Sequence, residues 1–283
     1  PRRRAPQHSR SDQKGAPVTA LPLSVDDLSV RIDGRELLHN VSFDVAPGER
    51  LGLLGGSGSG KTLTALALSG LLPRGAEVTG SVKLGDQELL DLDDTALARI
   101  RGDLIGTVFQ EPKTALNPLR RLGRQMTQSL ARHYELDRTQ RREAALKLAA
   151  RVGLDDPERI IRAYPHEVSG GQRQRAAIAA AISARPGLLL ADEPTTALDV
   201  TVQRGILALL RELSAGEGRT LLFISHDLAV ISEATDHVLV MHEGRIVERG
   251  TVTAILAAPE HPVTRALISA ADPTYVVTPE DRA

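Results

Sequence analysis

The apolar pattern changes period several times along the chain, and each change marks an element. Over residues 23–32 and 37–45, leucine and β-branched residues alternate with polar ones on either side of Asp33-Gly34, which predicts two strands joined by a tight turn. After Pro47-Gly48 the run 51–54 is wholly apolar, as in a strand buried on both faces. A helix rich in alanine and leucine is expected over 62–72, a strand over 78–84, a helix over 93–101 and a strand over 104–109 that ends at Gln110. The character then shifts: 122–134, 139–152 and 157–164 carry helical spacing with few β-branched residues, and an alanine-rich helix runs from Ser169 to Ala184. Beyond it come a short apolar strand at 187–191, a helix at 200–213 and a strand at 220–224. A hairpin at 238–241 and 245–248 turns about Glu243-Gly244, and short helices are expected at 253–257 and 263–270. Strands alternating with helices predict an α/β fold with a mostly parallel core sheet covered on both faces. An N-terminal antiparallel β subdomain precedes that core, and a helical subdomain at about 111–184 is inserted into it. Residues 1–20, rich in Arg, Pro and Ser, read as a disordered tail, and 21–270 as the folded domain.

Composition removes several classes of chemistry. The 283 residues contain no cysteine, which excludes disulfides, thiol nucleophiles and Cys-ligated metal. Aromatics make up only 2%, so aliphatic side chains must build the core, and the stacking platforms of single-strand nucleic-acid binders are missing. A formal net charge of −1 offers no global attraction to nucleic acid. No apolar run approaches the roughly 20 residues that cross a bilayer, and no signal-peptide pattern opens the chain. The expectation is a soluble chain working in the cytoplasm.

Against that background one stretch stands out. Gly55-Gly56-Ser57-Gly58-Ser59-Gly60-Lys61-Thr62 fits G-x-x-x-x-G-K-[ST], between a predicted strand and a predicted helix. Glycines let backbone N–H groups converge on phosphate oxygens, and the helix N-terminus adds positive potential. Lys61 is then expected on the β- and γ-phosphates of ATP and the Thr62 hydroxyl on Mg²⁺. A Gly/Ser linker would match the pattern by accident, but not with a strand and a helix flanking it.

Four further features belong with it. The strand at 187–191 delivers Asp192, placed to hold Mg²⁺, and Glu193, placed to act as general base on water. Gln110 ends a strand where the helical insertion begins, and its amide is suited to touch both metal and water. Ser169-Gly170-Gly171-Gln172 opens a helix with an N-cap serine and exposed glycine amides, a second anion-binding surface. One chain does not easily fold both surfaces onto one γ-phosphate, whereas two chains packed head-to-tail do. His226, after the strand at 220–224, is placed to hydrogen-bond γ-phosphate and water. Taken singly, Gln110 and His226 are ordinary loop residues and Asp192-Glu193 an ordinary charged strand end.

The order Gly55–Thr62, Gln110, Ser169–Gln172, Asp192-Glu193, Asp199, His226 resembles that of the nucleotide-binding subunit of an ATP-binding cassette (ABC) transporter, over about 23–270. The resemblance implies two ATPs sandwiched between two such subunits, with Asp199 in the loop that crosses between them. It also implies two transmembrane permease subunits docking near Gln110 and the helical insertion, and an extracytoplasmic solute-binding protein. The chain would then lie peripherally on the cytoplasmic face of the plasma (inner) membrane. Phe109-Gln110-Glu111-Pro112 through Asn117-Pro118, Tyr164-Pro165-His166-Glu167 and His261-Pro262-Val263-Thr264-Arg265 look like the oligopeptide/dipeptide/nickel importer subfamily, whose C-terminal extension would be about 251–283, ending in a tail at 271–283. Gly56 and Val168 depart from that pattern where Glu and Leu are usual. Ile32 stands where an aromatic ring would stack on adenine, so the base is expected to pack on aliphatic groups. Peptides, nickel complexes and glutathione-like molecules remain open as cargo, and the second cassette is either a copy of this chain or a different one. A soluble cassette acting on ribosome or DNA is the reading from another class; such proteins usually carry two cassettes or a long coiled-coil insertion, and neither is seen.

Overall fold

The computed structural model describes residues 18–110, 115–196, 198–216 and 218–271. β1 (Leu23–Ile32) and β2 (Arg35–Val45) form the expected hairpin. Asp33 and Gly34 both take positive φ, 49° and 74°, the turn whose twist suits a two-residue loop. β3 (Arg50–Leu54) leads into the phosphate-loop sequence, while β4 (Glu77–Leu84) and β5 (Gln87–Glu88) complete an antiparallel sheet ordered β2-β1-β4-β5. The second sheet adds β6 (Ile105–Val108), β7 (Leu188–Asp192), β8 (Thr220–Ser225), β9 (His237–His242) and β10 (Arg245–Thr251), in the order β10-β9-β3-β8-β7-β6. Its strands from β9 to β6 run parallel, and only β10 is antiparallel.

The two-residue repeat of a strand explains why these strands are apolar throughout: odd and even positions enter different cores. Leu189, Ala191, Leu221, Phe223, Val238 and Val240 join the core beneath the helical part of the chain. Leu188, Leu190, Leu222, Ile224, Leu239 and Met241 join the core shared with the antiparallel sheet. Close approach of helices to the sheet uses glycine. A Cβ on Gly52 of β3 would stand 2.9 Å from both Ile231 Cγ2 and Thr235 Oγ1.

Four helices differ from the expectation. The helix expected to reach residue 72 is Lys61–Leu68, because Gly70 takes φ 60° and the amides of Gly70 and Leu71 bond back to Ala67 and Leu66. The single helix expected over 122–134 is two, Leu122–Met126 and Gln128–His133. They break at Thr127, whose hydroxyl donates 2.8 Å to the Gly123 carbonyl. The helix expected over 157–164 stops at Ile160, since the Ile161 and Ala163 carbonyls accept from Gly123 and Leu122, and Pro165 holds Tyr164 extended. Leu228–Ala234 is a helix that periodicity could not announce at seven residues, although its N-cap Asp227 was a readable signal. Among the described residues no helix is long and apolar enough to cross a membrane. The expected tails at 1–20 and 271–283 lie almost wholly outside the described residues.

Candidate active site

Parallel register brings the motifs together. Leu54 pairs with Ser225, Asp192 with Ile224 and Val108 with Ala191, so β3, β8, β7 and β6 all end on one edge of the sheet. The loop 55–60, His226, Asp192-Glu193 and Gln110 therefore leave neighbouring strands side by side, at the carboxyl ends where α/β sheets bind ligands.

The loop is held open by its neighbours. Gly58 and Gly60 have φ of 75° and 106°, values that L side chains rarely adopt. A Cβ on Gly60 would meet Leu38 Cδ2 at 2.7 Å, and one on Gly55 would overlap the Met241 carbonyl. The hairpin turn at Gly244 acts as a strap: its N–H donates 2.9 Å to the Ser59 carbonyl, and its own carbonyl accepts from the His39 amide of β2. The helix Lys61–Leu68 starts at Gly60 with no side-chain cap and no acidic residue in its first turn. Its N-terminal amides therefore point at the loop unneutralised, as a phosphate site requires.

Lys61 is 5% exposed, and its Nζ donates to the Gly55 and Gly56 carbonyls at 2.8 and 2.9 Å. Burial lowers the pKa of this ammonium, while Glu193 and Asp192 pull it back up. Asp192 is equally buried. Burial and the neighbouring Glu193 charge push its carboxyl up to about 6, against the opposing pull of Lys61 and a hydrogen bond with Thr62. Its Oδ1 is buried with no hydrogen-bond partner. An orphaned carboxylate oxygen beside the Thr62 hydroxyl and a phosphate loop suits Mg²⁺, which takes one or two carboxylates and leaves its other positions to phosphate and water. In keeping with that economy, the described residues hold no cluster of three or more His, Asp or Glu fit for a metal.

Glu193 is the convergence point. Its Oε2 accepts from Gln110 Nε2 at 3.0 Å and from Thr196 Oγ1 at 2.9 Å, and its Oε1 lies 2.9 Å from His226 Nδ1. Glu193 has φ 44°, an uncommon conformation for a non-glycine residue, and its amide is tied to the Ile224 carbonyl of β8. A carboxylate has about four acceptor positions, and these three bonds leave one on Oε1.

Ser169 caps the helix Gly170–Ile182: its Oγ accepts from the Gln172 amide at 3.2 Å, and Gln172 Oε1 accepts from the Ser169 amide at 3.1 Å. A Cβ on Gly171 would stand 2.7 Å from Val202 Cγ1, so this helix start presses on the helix Val200–Ala215. Asp199 caps that second helix, accepting from Val202 at 3.0 Å. Ser169 and Asp199 are exposed and residues 170–172 half-buried, and none of them joins the contacts that converge on Glu193. Ser57 and Ile32 take no part in those contacts, and Ile32 packs partly buried on the core of the antiparallel sheet.

Residues 38–196 match the profile of the family described as ABC transporter. The chain belongs to that family. It is 46% identical over 254 residues to the peptidoglycan transport ATP-binding protein YejF of Agrobacterium fabrum, covering 88% of this chain and 46% of that protein. It is 44% identical to the probable peptide ABC transporter ATP-binding protein y4tR of Sinorhizobium fredii, covering 89% of this chain and 77% of that protein. To the oligopeptide transport ATP-binding protein AppD of Bacillus subtilis it is 43% identical, covering 82% and 71%. The chain thus spans less than half the length of YejF but most of the other two. Among solved structures, the dimeric post-hydrolysis state of the ATP-binding cassette MJ0796 bound to ADP and Pi superposes with a TM-score of 0.72 at 29% identity, covering 81% of this chain and 98% of that one.

Of the expected ABC site residues, the structure brings Gln110, Asp192, Glu193, His226, Lys61 and Thr62 together at one edge of the sheet. Two contributors were missed. In the sequence Thr196 is one of two threonines after Glu193-Pro194, and Gly244 marks a hairpin turn with no sign that it reaches the phosphate loop.

Proposed function

We propose that this ABC-family chain is the ATP-hydrolysing, nucleotide-binding subunit that energises a membrane importer for oligopeptides or dipeptides. The observation that carries the chemistry is the Glu193 carboxylate, gripped from β6 by Gln110 and from β8 by His226, with one acceptor position left for a water. In this reading Glu193 takes the proton of the attacking water, and His226 and Gln110 fix the carboxylate and report on the γ-phosphate. The amides of Gly55, Ser57, Gly58, Ser59 and Gly60 cradle the phosphates, and Lys61 leaves its loop carbonyls for the phosphate oxygens. Thr62, Asp192 and Gln110 would hold Mg²⁺, which when bound offsets the phosphate charge. Ser169, Gly170, Gly171 and Gln172 close on a nucleotide held by a second ATP-binding subunit, a copy or a homologue, with Asp199 between the two. Support for the in-trans arrangement is that these residues make none of the contacts that converge on Glu193, and that the MJ0796 cassette structure bound to ADP and Pi is dimeric.

The peptide cargo rests on the names of the relatives, several of which are peptide transport proteins. Partners in this reading are two transmembrane permease subunits and an extracytoplasmic solute-binding protein, with the chain peripheral on the cytoplasmic face of the inner membrane. The domain limits proposed are 21–270 for the ATPase, with the helical subdomain at about 111–184. The test is the assembled transporter in vesicles, assayed for ATP hydrolysis and for uptake of a labelled dipeptide against Ni²⁺. Dipeptide-stimulated hydrolysis with uptake is expected. Nickel uptake alone would move the cargo, and no hydrolysis would remove the motor role.

A further inference from the structure

Val168 and Ser169 share one peptide unit, and both of its polar ends are fastened. The Val168 carbonyl accepts from Arg173 Nε at 3.3 Å and from Arg173 Nη2 at 3.2 Å. At the other end the Ser169 amide donates to Gln172 Oε1 at 3.1 Å. Val168 itself is extended, with φ −127° and ψ 159°, and its side chain is buried in the core beneath the helical part of the chain. Arg173 lies one turn into the helix Gly170–Ile182 that Ser169 caps. Side chains on a helix lean toward its N-terminus, so an arginine at that place reaches back over the first turn to the residue before the N-cap. An apolar pair often joins these same two positions and fixes the angle at which a chain enters a helix. Here a guanidinium on a carbonyl does so. The peptide plane it holds sets φ of Ser169, −65°, and with it the direction in which the serine hydroxyl and the Gly170 and Gly171 amides face.

We infer that Arg173 is the positioning residue of the Ser169 turn: its guanidinium fixes the peptide plane before Ser169, so that the turn is already aimed when it meets the triphosphate of a second subunit. This rests on the in-trans closure proposed above and adds to it a residue that acts through the turn. A preset turn meets the ordering cost before closure rather than during it. The rival account is electrostatic, with Arg173 acting only as a positive charge near an anion. Lysine keeps that charge and loses the planar two-nitrogen grip, which separates the two accounts.

The experiment uses the full chain carrying Glu193→Gln, titrated with Mg-ATP while the dimer is counted by size-exclusion chromatography. Adding Arg173→Met should raise the ATP concentration for half-maximal dimer about tenfold, the usual worth of a hydrogen bond from a charged donor. Arg173→Lys should recover only a small part of that loss. Binding of a fluorescent ATP analogue by the single subunit should stay at the value of the Glu193→Gln chain in both variants. With Ser169→Ala already present, Arg173→Met should add little, because it acts through the turn; a charge acting at a distance would give additive losses. Unchanged dimerisation of the Arg173→Met chain overturns the inference. Unchanged dimerisation of Arg173→Lys leaves only the charge and overturns it too, as do additive losses. Weaker ATP binding by the single subunit would place the effect in the fold at large and count against it equally. If the Glu193→Gln chain with Arg173 intact binds Mg-ATP and never dimerises, the in-trans reading itself falls and takes the inference with it. That outcome is distinct from a chain that dimerises with or without Arg173.

Discussion

Nδ1 of His226 lies 2.9 Å from Oε1 of Glu193, while Gln110 holds the other oxygen of the same carboxylate from the opposite neighbouring strand. The side chain is therefore fixed about its axis, with one acceptor position left on Oε1. Glu193→Gln keeps the size and loses the base. Hydrolysis should fall by about 10²–10⁴, the usual worth of a positioned proton acceptor, with nucleotide affinity preserved. Phosphate release and binding of a fluorescent ATP analogue check the two halves. Hydrolysis at the parent rate would take the base role away from Glu193.

The side-chain contacts of His226 and Gln110 in this geometry both run to Glu193, and the proposed Mg²⁺ contact is a second route for Gln110 alone. His226→Ala and Gln110→Ala should each lower kcat strongly in the parent chain. In a Glu193→Gln background either change should cost much less, since groups that act as a unit are not additive. A double-mutant cycle on kcat measures this. Full additivity would mean that the two side chains work independently of the carboxylate.

Much of this site was legible because its motifs are local. A phosphate loop, a capped Ser169 turn and an acid pair at a strand end each occupy a few consecutive residues with fixed spacing. The contacts that make them one site were not legible, because they depend on register between strands far apart in sequence. Nothing around Gln110 says that Val108 pairs with Ala191, which sets Gln110 beside Glu193. The Gly244 strap on Ser59 was hidden for the same reason. The helix breaks at Thr127 and Ile160 were lost because apolar spacing continues through them, and tertiary hydrogen bonds override it.

Asp192 carries a pH signature. Its carboxyl titrates near 6 in the folded chain, above the 3.8 of an exposed aspartate, so the folded state binds more protons than the unfolded state between those values. Stability of the nucleotide-free chain should therefore decline as pH rises from about 4 to about 6 and stay at the lower level above that. The full effect is about 3 kcal/mol for a shift of about two pH units. Asp192→Asn should flatten this dependence and stabilise the chain at pH 7. The gain stays below that figure, because the change also removes an anion that favours charged Lys61. Denaturant midpoints across pH 4–8, without nucleotide or Mg²⁺, give the test. An unchanged slope in the variant would place the titration elsewhere.

Ser169 is exposed, and its only described side-chain bond is the cap it makes with the Gln172 amide. Ser169→Arg should cost the folded chain about 1 kcal/mol, the worth of an N-cap. Binding of ATP by the single subunit should not change, because the loop 55–62 lies elsewhere on the molecule. Closure of two subunits over ATP should fail, since a long cation replaces the small serine where the second chain must approach a triphosphate. The comparison is best made in a Glu193→Gln background, in which the closed dimer should accumulate with Mg-ATP and be counted by size-exclusion chromatography. Equal dimer in the Ser169→Arg chain would show that this turn does not close over the nucleotide of its partner. The exposed Ser169 and Asp199 would then need another role.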